Sequence, residues 1–195
     1  MPRWSLVPWF ALAFAFPAEP PSLTILVDSP PGTPHHSLTV MREELENLLG
    51  VQVSVEPWKR DNPRGLERAG GTTTWVVLRG QCRVCGSRCR EDYGTLGETP
   101  IINGRVQPYV WIHCDRVRGL IRENTSGKAP CHADMLFGRA LGRILAHEIY
   151  HIYTGTEHHA DETLLRPALT ARQLTSDGVG FSAACRERLH SLLCN

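Results

Sequence analysis

The chain has 195 residues, 42% of them hydrophobic, with 21 lysines and arginines against 20 acidic residues. That length supports one well-buried core and predicts a single domain. The near-even charge, with no basic run, excludes the electrostatic footprint of a nucleic-acid binder.

Met1-Pro2-Arg3 precedes an apolar stretch from Trp4 to Phe16, and Ala11, Ala13, Ala15 and Ala18 offer Ala-x-Ala cleavage sites. This is the pattern of a secretory signal over residues 1–18. A membrane anchor is the competing reading, but the stretch falls short of the ~20 residues a span needs, and Pro8 and Pro17 interrupt it. Residues 19–195 are therefore expected to be exported, to a periplasm or beyond the cell, with no stable membrane insertion. Seven cysteines agree with an oxidising destination. Cys82-x-x-Cys85-x-x-x-Cys89 is read as disulfide halves rather than a metal knuckle, because its spacing matches no structural zinc pattern. The odd count leaves at least one thiol without an internal partner, and the pairing is not readable from spacing.

Leu23 to Val27 is a short apolar run closed by Asp28-Ser29-Pro30-Pro31-Gly32, a buried strand and its loop. A helix capped by Ser37 should follow, with Val40, Met41, Leu45, Leu48 and Leu49 on one face and Gly50 as its stop. Val51, Val53 and Val55 alternate with polar residues as a half-buried strand does. Thr72 to Leu78 is rich in β-branched residues and predicts the next strand. Ile101-Ile102, Asn103-Gly104 and the run from Val106 to Cys114 predict a hairpin, with Pro100 and Pro108 suiting a sheet edge.

From Asp134 to about Tyr153 the period turns helical, with Leu141, Leu145, Ile149 and Ile152 as an apolar stripe. Gly138 and Gly142 weaken that helix by about 1 kcal/mol each relative to alanine, which implies close packing against a neighbour. Beyond it come a short helix from Ala168 to Leu174, the breaker Asp177-Gly178-Val179-Gly180, and a last amphipathic helix from Ala183 to Leu193. Cys185 and Cys194 read as staples for this tail. The element order predicts an α+β layer, with the long helix lying across a mixed sheet.

That helix contains His147-Glu148-Ile149-Tyr150-His151, an H-E-x-x-H motif. Imidazoles four residues apart share one helical face, so they can close on a single Zn2+ without ordering a loop. Glu148 lies beside them, free to act as general base on a metal-activated water and then to protonate a leaving amine. A catalytic zinc usually takes three protein ligands. After a stop at Gly155 the chain offers Glu157, His158, His159 and Asp161. Imidazole chemistry and turn length favour His158, with His159 next and the two acids behind. Tyr150 and Tyr153 read as packing residues rather than oxyanion donors. Cys131-His132, just before the helix, reads as a disulfide half beside a surface histidine.

The segment from His147 through Gly155 to His158 resembles the extended zinc motif of the metzincin metalloproteases. It carries one inserted residue, since Ile152, Tyr153 and Thr154 stand where that family has two residues before the glycine. No methionine follows the motif: Met1, Met41 and Met135 all precede it. Gly94-Thr95-Leu96-Gly97 and the following hairpin look like the edge strand and next strand bordering the cleft of matrix-metalloprotease-like domains. The layout from Leu23 through His159 is similar to small exported bacterial proteins regarded as metallopeptidases.

The resemblance implies an α+β, zincin-like fold: a mixed twisted sheet with an antiparallel edge strand, a backing helix, a central active-site helix and a small C-terminal helical subdomain. Residues 19–153 would form the upper part and 154–195 the lower. It also implies a zinc-dependent peptidase, with a peptide or protein substrate extended along Gly94 to Thr99. The alternatives are a non-catalytic zinc-binding or interaction domain, and a hydrolase of non-peptide amides.

Overall fold

The computed structural model describes residues 21–58, 72–83, 94–159 and 163–193. Cys85, Cys89, Cys194, Asp161 and the N-terminal apolar stretch lie outside them.

Strand β1 (Ser22–Asp28) is flanked by β2 (Gln52–Pro57) on one side and β3 (Thr72–Arg79) on the other, both parallel to it. Helix α1 (His35–Leu49) makes the crossover from β1 to β2. The sheet continues through β7 (Tyr109–His113), parallel to β3, to the short antiparallel β4 (Gly97–Glu98) at its edge. One face is apolar: Leu23, Ile25, Val27, Val76, Leu78, Val110 and Ile112 are all buried. Against it lie Met41, Leu45 and Leu49 of α1 and Phe137, Leu141, Leu145 and Ile149 of the long helix, in one continuous core. Burying a side chain of this kind contributes about 1.5–3 kcal/mol, so this layer fixes where the long helix lies.

The expected helix cap is displaced. α1 begins at His35, with extended Pro34 before it, and Ser37 lies inside the helix, buried, its hydroxyl donating to the Asp134 carbonyl at 2.9 Å. The serine serves an interhelical bond instead of a cap. The hairpin expectation is also corrected. β5 (Ile101–Ile102) and β6 (Arg105–Val106) pair around Asn103-Gly104 as a separate two-stranded ribbon, and β7 starts only after Pro108. β7 is an interior strand whose antiparallel partner is β4. Proline at 108 breaks the run because it lacks the N–H that a ladder needs.

Two helices absent from the sequence expectations follow β7: α2 (Cys114–Leu120) and α3 (Arg122–Thr125). Their signal is the spacing of Cys114, Val117 and Ile121, all buried on one face. Cys114 forms a disulfide with Cys82, tying the end of β3 to the start of α2.

The long helix α4 runs Pro130–Thr154, four residues earlier than expected, because Pro130 occupies its first turn without wasting a donor. Cys131 and His132 are therefore inside it, and the Cys131 thiol is exposed and free rather than half of a disulfide. Among the described residues no helix is long and apolar enough to cross a membrane. Past α4 come a single 3-10 turn (Thr163–Leu165), α5 (Ala171–Thr175) and α6 (Ala183–Leu193). α5 starts later than expected because Thr170 and Gln173 form a reciprocal capping box. Cys185 is half-buried and free, so it is no staple.

The glycines of α4 seat it on α1. A Cβ at Gly138 would lie 2.4 Å from the Ser37 carbonyl oxygen and 2.9 Å from the Val40 Cβ, and one at Gly142 would lie 2.8 Å from the Glu44 Cβ. Alanine gains about 1 kcal/mol of helix propensity, but overpacking against a backbone atom costs about 1–3 kcal/mol. Gly138→Ala should therefore lower the chemical-denaturation midpoint despite its better propensity. A raised midpoint would show that α1 and α4 are not in contact here.

Candidate metal centre and cleft

Helix α4 buries its Leu141, Leu145 and Ile149 stripe against the sheet, which leaves His147 and His151 on another face and Glu148 at the border between that face and the stripe. These three border a cleft of about 830 Å³, bounded above by Gly94 to Thr99 and below by Arg166 to Leu169. The edge segment approaches closely because residue 97 has no side chain: a Cβ there would stand 2.6 Å from Ile144 and 3.1 Å from the Glu148 carboxylate.

The imidazoles are oriented from behind. His147 Nδ1 lies 2.5 Å from the Leu164 carbonyl oxygen, and His151 Nδ1 lies 2.6 Å from that of Thr156. A carbonyl only accepts, so both Nδ1 atoms carry the proton and both Nε2 atoms present lone pairs. Those two Nε2 atoms face each other at 3.0 Å. Two lone pairs at that distance repel unless a cation or a proton lies between them. Two zinc bonds of ~2.0–2.1 Å at a tetrahedral angle separate their nitrogens by about 3.4 Å, so the pair suits such an ion.

The third member of the cluster is His159. Its ring centroid lies 5.2 Å from that of His147 and 4.9 Å from that of His151, and the donor atoms of all three lie within 4.8 Å of one another. His158, the expected third partner, does not join them; it is exposed, and its backbone N–H donates to Thr156 Oγ1 at 3.1 Å. α4 continues through Thr154 and stops where expected, at Gly155, which takes the left-handed conformation at φ 62°. The turn that follows brings back the imidazole one residue further on than expected. Glu157 borders the cleft but is outside the cluster.

Glu148 is buried with its carboxylate toward the edge segment, where the Thr99 hydroxyl donates to Oε2 at 2.8 Å. Burial pushes its pKa above the usual carboxylate value, while the Thr99 hydrogen bond and the neighbouring histidines pull the other way. Burial likewise holds His147 and His151 below the ordinary imidazole value, against the carbonyl hydrogen bonds that favour protonation. Imidazoles kept neutral are imidazoles free to ligate.

The two tyrosines are packing residues. Tyr150 stacks on Phe181 with centroids 5.8 Å apart, and the Tyr153 hydroxyl lies 3.0 Å from Thr74 Oγ1. Thr99 and the Leu164 and Thr156 carbonyls were not among the sequence candidates. Backbone acceptors leave no side-chain signature, and a threonine gains its role only through sheet register.

The fold recurs in known structures. The crystal structure of archaemetzincin from Methanopyrus kandleri superposes with a TM-score of 0.51 at 15% identity, covering 89% of this chain and 96% of that one. The crystal structure of a zinc-dependent peptidase from Methanocorpusculum labreanum superposes with a TM-score of 0.52 at 14% identity, covering 86% of this chain and 99% of that one. The chain shares their fold. At this identity the likeness concerns fold alone. No protein-family model matches the sequence, and no curated protein matches it.

Proposed function

We propose that this chain is an exported zinc-dependent peptidase in which His147, His151 and His159 hold the ion and Glu148 is the general base. The observation carrying the reading is the pair of Nε2 lone pairs 3.0 Å apart, with a third imidazole beside them and a buried carboxylate at the same cleft. Zinc in such a donor set supplies a Lewis acid and eases deprotonation of water near neutral pH.

The chain's own groups do the rest. Glu148 takes the proton of the attacking water and passes it to the departing amine, so the peptide bond breaks with no net proton gained. Thr99 anchors Oε2 and fixes the direction of the carboxylate. Edge strand β4 offers main-chain donors and acceptors to an extended substrate, which adds to the sheet as a further strand. The Cys82–Cys114 disulfide and the apolar stretch at the N-terminus support export to an oxidising compartment.

The test is digestion of a mixed peptide library by the purified protein, before and after chelation. Cleavage that stops with a chelator and returns with stoichiometric Zn2+ is the expected result. Cleavage indifferent to chelation would end the zinc reading, and no cleavage by the zinc-loaded protein would favour a binding module or a non-peptide substrate.

A further inference from the structure

Past Glu148 the cleft continues onto the β5–β6 ribbon. Side chains alternate along extended chain, and Thr99, which bonds Glu148, is followed two residues on by Ile101. Ile101 stands opposite Val106 in the ribbon, and both border the cleft. Ile102 and Arg105, the next pair, lie on the ribbon's other face, away from it. Glu98, the acid of the same edge segment, also borders the cleft, but it alternates with Thr99, and its Oε1 lies 3.3 Å from His113 Nε2 on β7. The face that the ribbon turns to the cleft is therefore apolar.

This face is preformed. Asn103 and Gly104 take φ of 52° and 72°, the positive pair that a two-residue type I′ turn requires. At the ribbon's base the Gln107 N–H donates to the Pro100 carbonyl at 2.9 Å, and the Trp75 N–H of β3 donates to the Pro108 carbonyl at 3.1 Å. A two-stranded hairpin alone is marginal in water, and the second of these bonds ties it to the sheet. Four large hydrophobic side chains are exposed among the described residues, and Ile101, at 42%, is one of the two that border the cleft. Single exposed apolar residues need no partner, but Ile101 is matched by half-buried Val106 on a fixed wall beside Glu148.

We propose that Ile101 and Val106 form a subsite for an apolar substrate side chain, that of Leu, Ile, Met or Phe, on a residue preceding the scissile bond. The proposal rests on the peptidase reading above and names its substrate class. A peptide adding antiparallel to β4, the more stable pairing, runs from the Ile101 end toward the Thr95 end. Glu148 meets the edge segment at Gly97 and Thr99, so the bond to be cut lies there and the residues before it reach the ribbon. Ile101 is two residues from Thr99, about 7 Å of extended chain, which places the apolar residue within about three positions of the cut. Covering Ile101 removes apolar surface of both partners from water, and this favours the complex.

The experiment reads the residues flanking each cut in a peptide library by mass spectrometry, for the zinc-loaded wild type, Ile101→Asn and Ile102→Asn. In the wild type Leu, Ile, Met and Phe should be enriched about tenfold over Ser, Asn and Gln at one position before the cut. Ile101→Asn should lower that ratio by about threefold or more and leave the preference after the cut unchanged. Ile102→Asn alters the same ribbon on its other face, so there the ratio should stay at the wild-type value. A ratio taken within one protein does not depend on how much of it is folded.

Cuts without apolar preference on that side would overturn the proposal and leave the peptidase reading standing, as would a preference that Ile101→Asn leaves intact or that Ile102→Asn lowers equally. Should no peptide be cut, the peptidase reading fails, and binding then decides the subsite. Fluorescence anisotropy on Glu148→Gln should show a Leu-containing peptide bound about tenfold tighter than its Asn counterpart, with the gap narrowed by adding Ile101→Asn. Equal affinities, or binding of neither peptide, would overturn the subsite there too.

Discussion

Replacing Glu148 by glutamine should abolish peptide hydrolysis, with kcat falling by about 10²–10⁴, while zinc content and folding stay unchanged. Each part follows from a separate feature of the residue's surroundings. Glu148 is outside the group of nitrogen donors, so its loss removes no ligand. Glutamine keeps a carbonyl oxygen for the Thr99 hydroxyl to donate to, so the local geometry survives. Burial already disfavours the ionised carboxylate, as its raised pKa shows, so a neutral side chain of equal size relieves that penalty instead of adding one. What the variant loses is the ability to accept a proton. Steady-state kinetics on a cleaved library peptide, with metal analysis and a denaturation curve on the same sample, checks all three parts. Undiminished kcat would remove Glu148 from the chemistry, and lost zinc would make it a ligand.

The second large effect concerns the two adjacent histidines. Neighbouring residues in a loop point their side chains in different directions, so only one of the pair is well placed to serve the ion. His159 has its ring within 5.2 Å of both helical imidazoles, centroid to centroid, whereas His158 is exposed and tied by its backbone to Thr156. Removing partners that merely orient a ligand weakens a metal site by about 10–100-fold. Removing a ligand itself should therefore cost His159→Ala at least about 100-fold in zinc affinity. His158→Ala should leave the affinity within a few-fold of wild type, because the backbone bond it makes is available to alanine.

Much of the architecture was legible because it is written in local periodicity. Leu23 to Val27 and Thr72 to Leu78 read as strands, and Leu141, Leu145 and Ile149 read as the buried face of a helix. Gly138 and Gly142 announced a close neighbour, which is α1. The long apolar run after Asn103-Gly104 misled, because both a ribbon and an interior strand are β-branched; Pro108 was the boundary, and it read equally well as an edge. Ser37 has the chemistry of a cap, and only tertiary packing shows that its hydroxyl serves Asp134 instead.

At the candidate site, the meeting of His147, Glu148 and His151 at one cleft was legible from spacing, since four residues make about one helical turn. The third imidazole was not, because it depends on the path of the turn after Gly155, which two adjacent histidines fit equally well by spacing; the turn places His159, not His158, beside the helical pair. Likewise, no pattern in the sequence distinguishes Thr99 from other threonines until β4 is laid against α4.

In the proposed site three imidazoles, one of them His159, converge on a single zinc ion. A competition titration with a chromogenic chelator, run on the wild type and on the alanine variants of His147, His151, His158 and His159, reads this out. One equivalent of tightly bound zinc is expected in the wild type and in His158→Ala, with loss of tight binding in the other three. Tight binding retained by His159→Ala, or lost in His158→Ala, would overturn the assignment of His159.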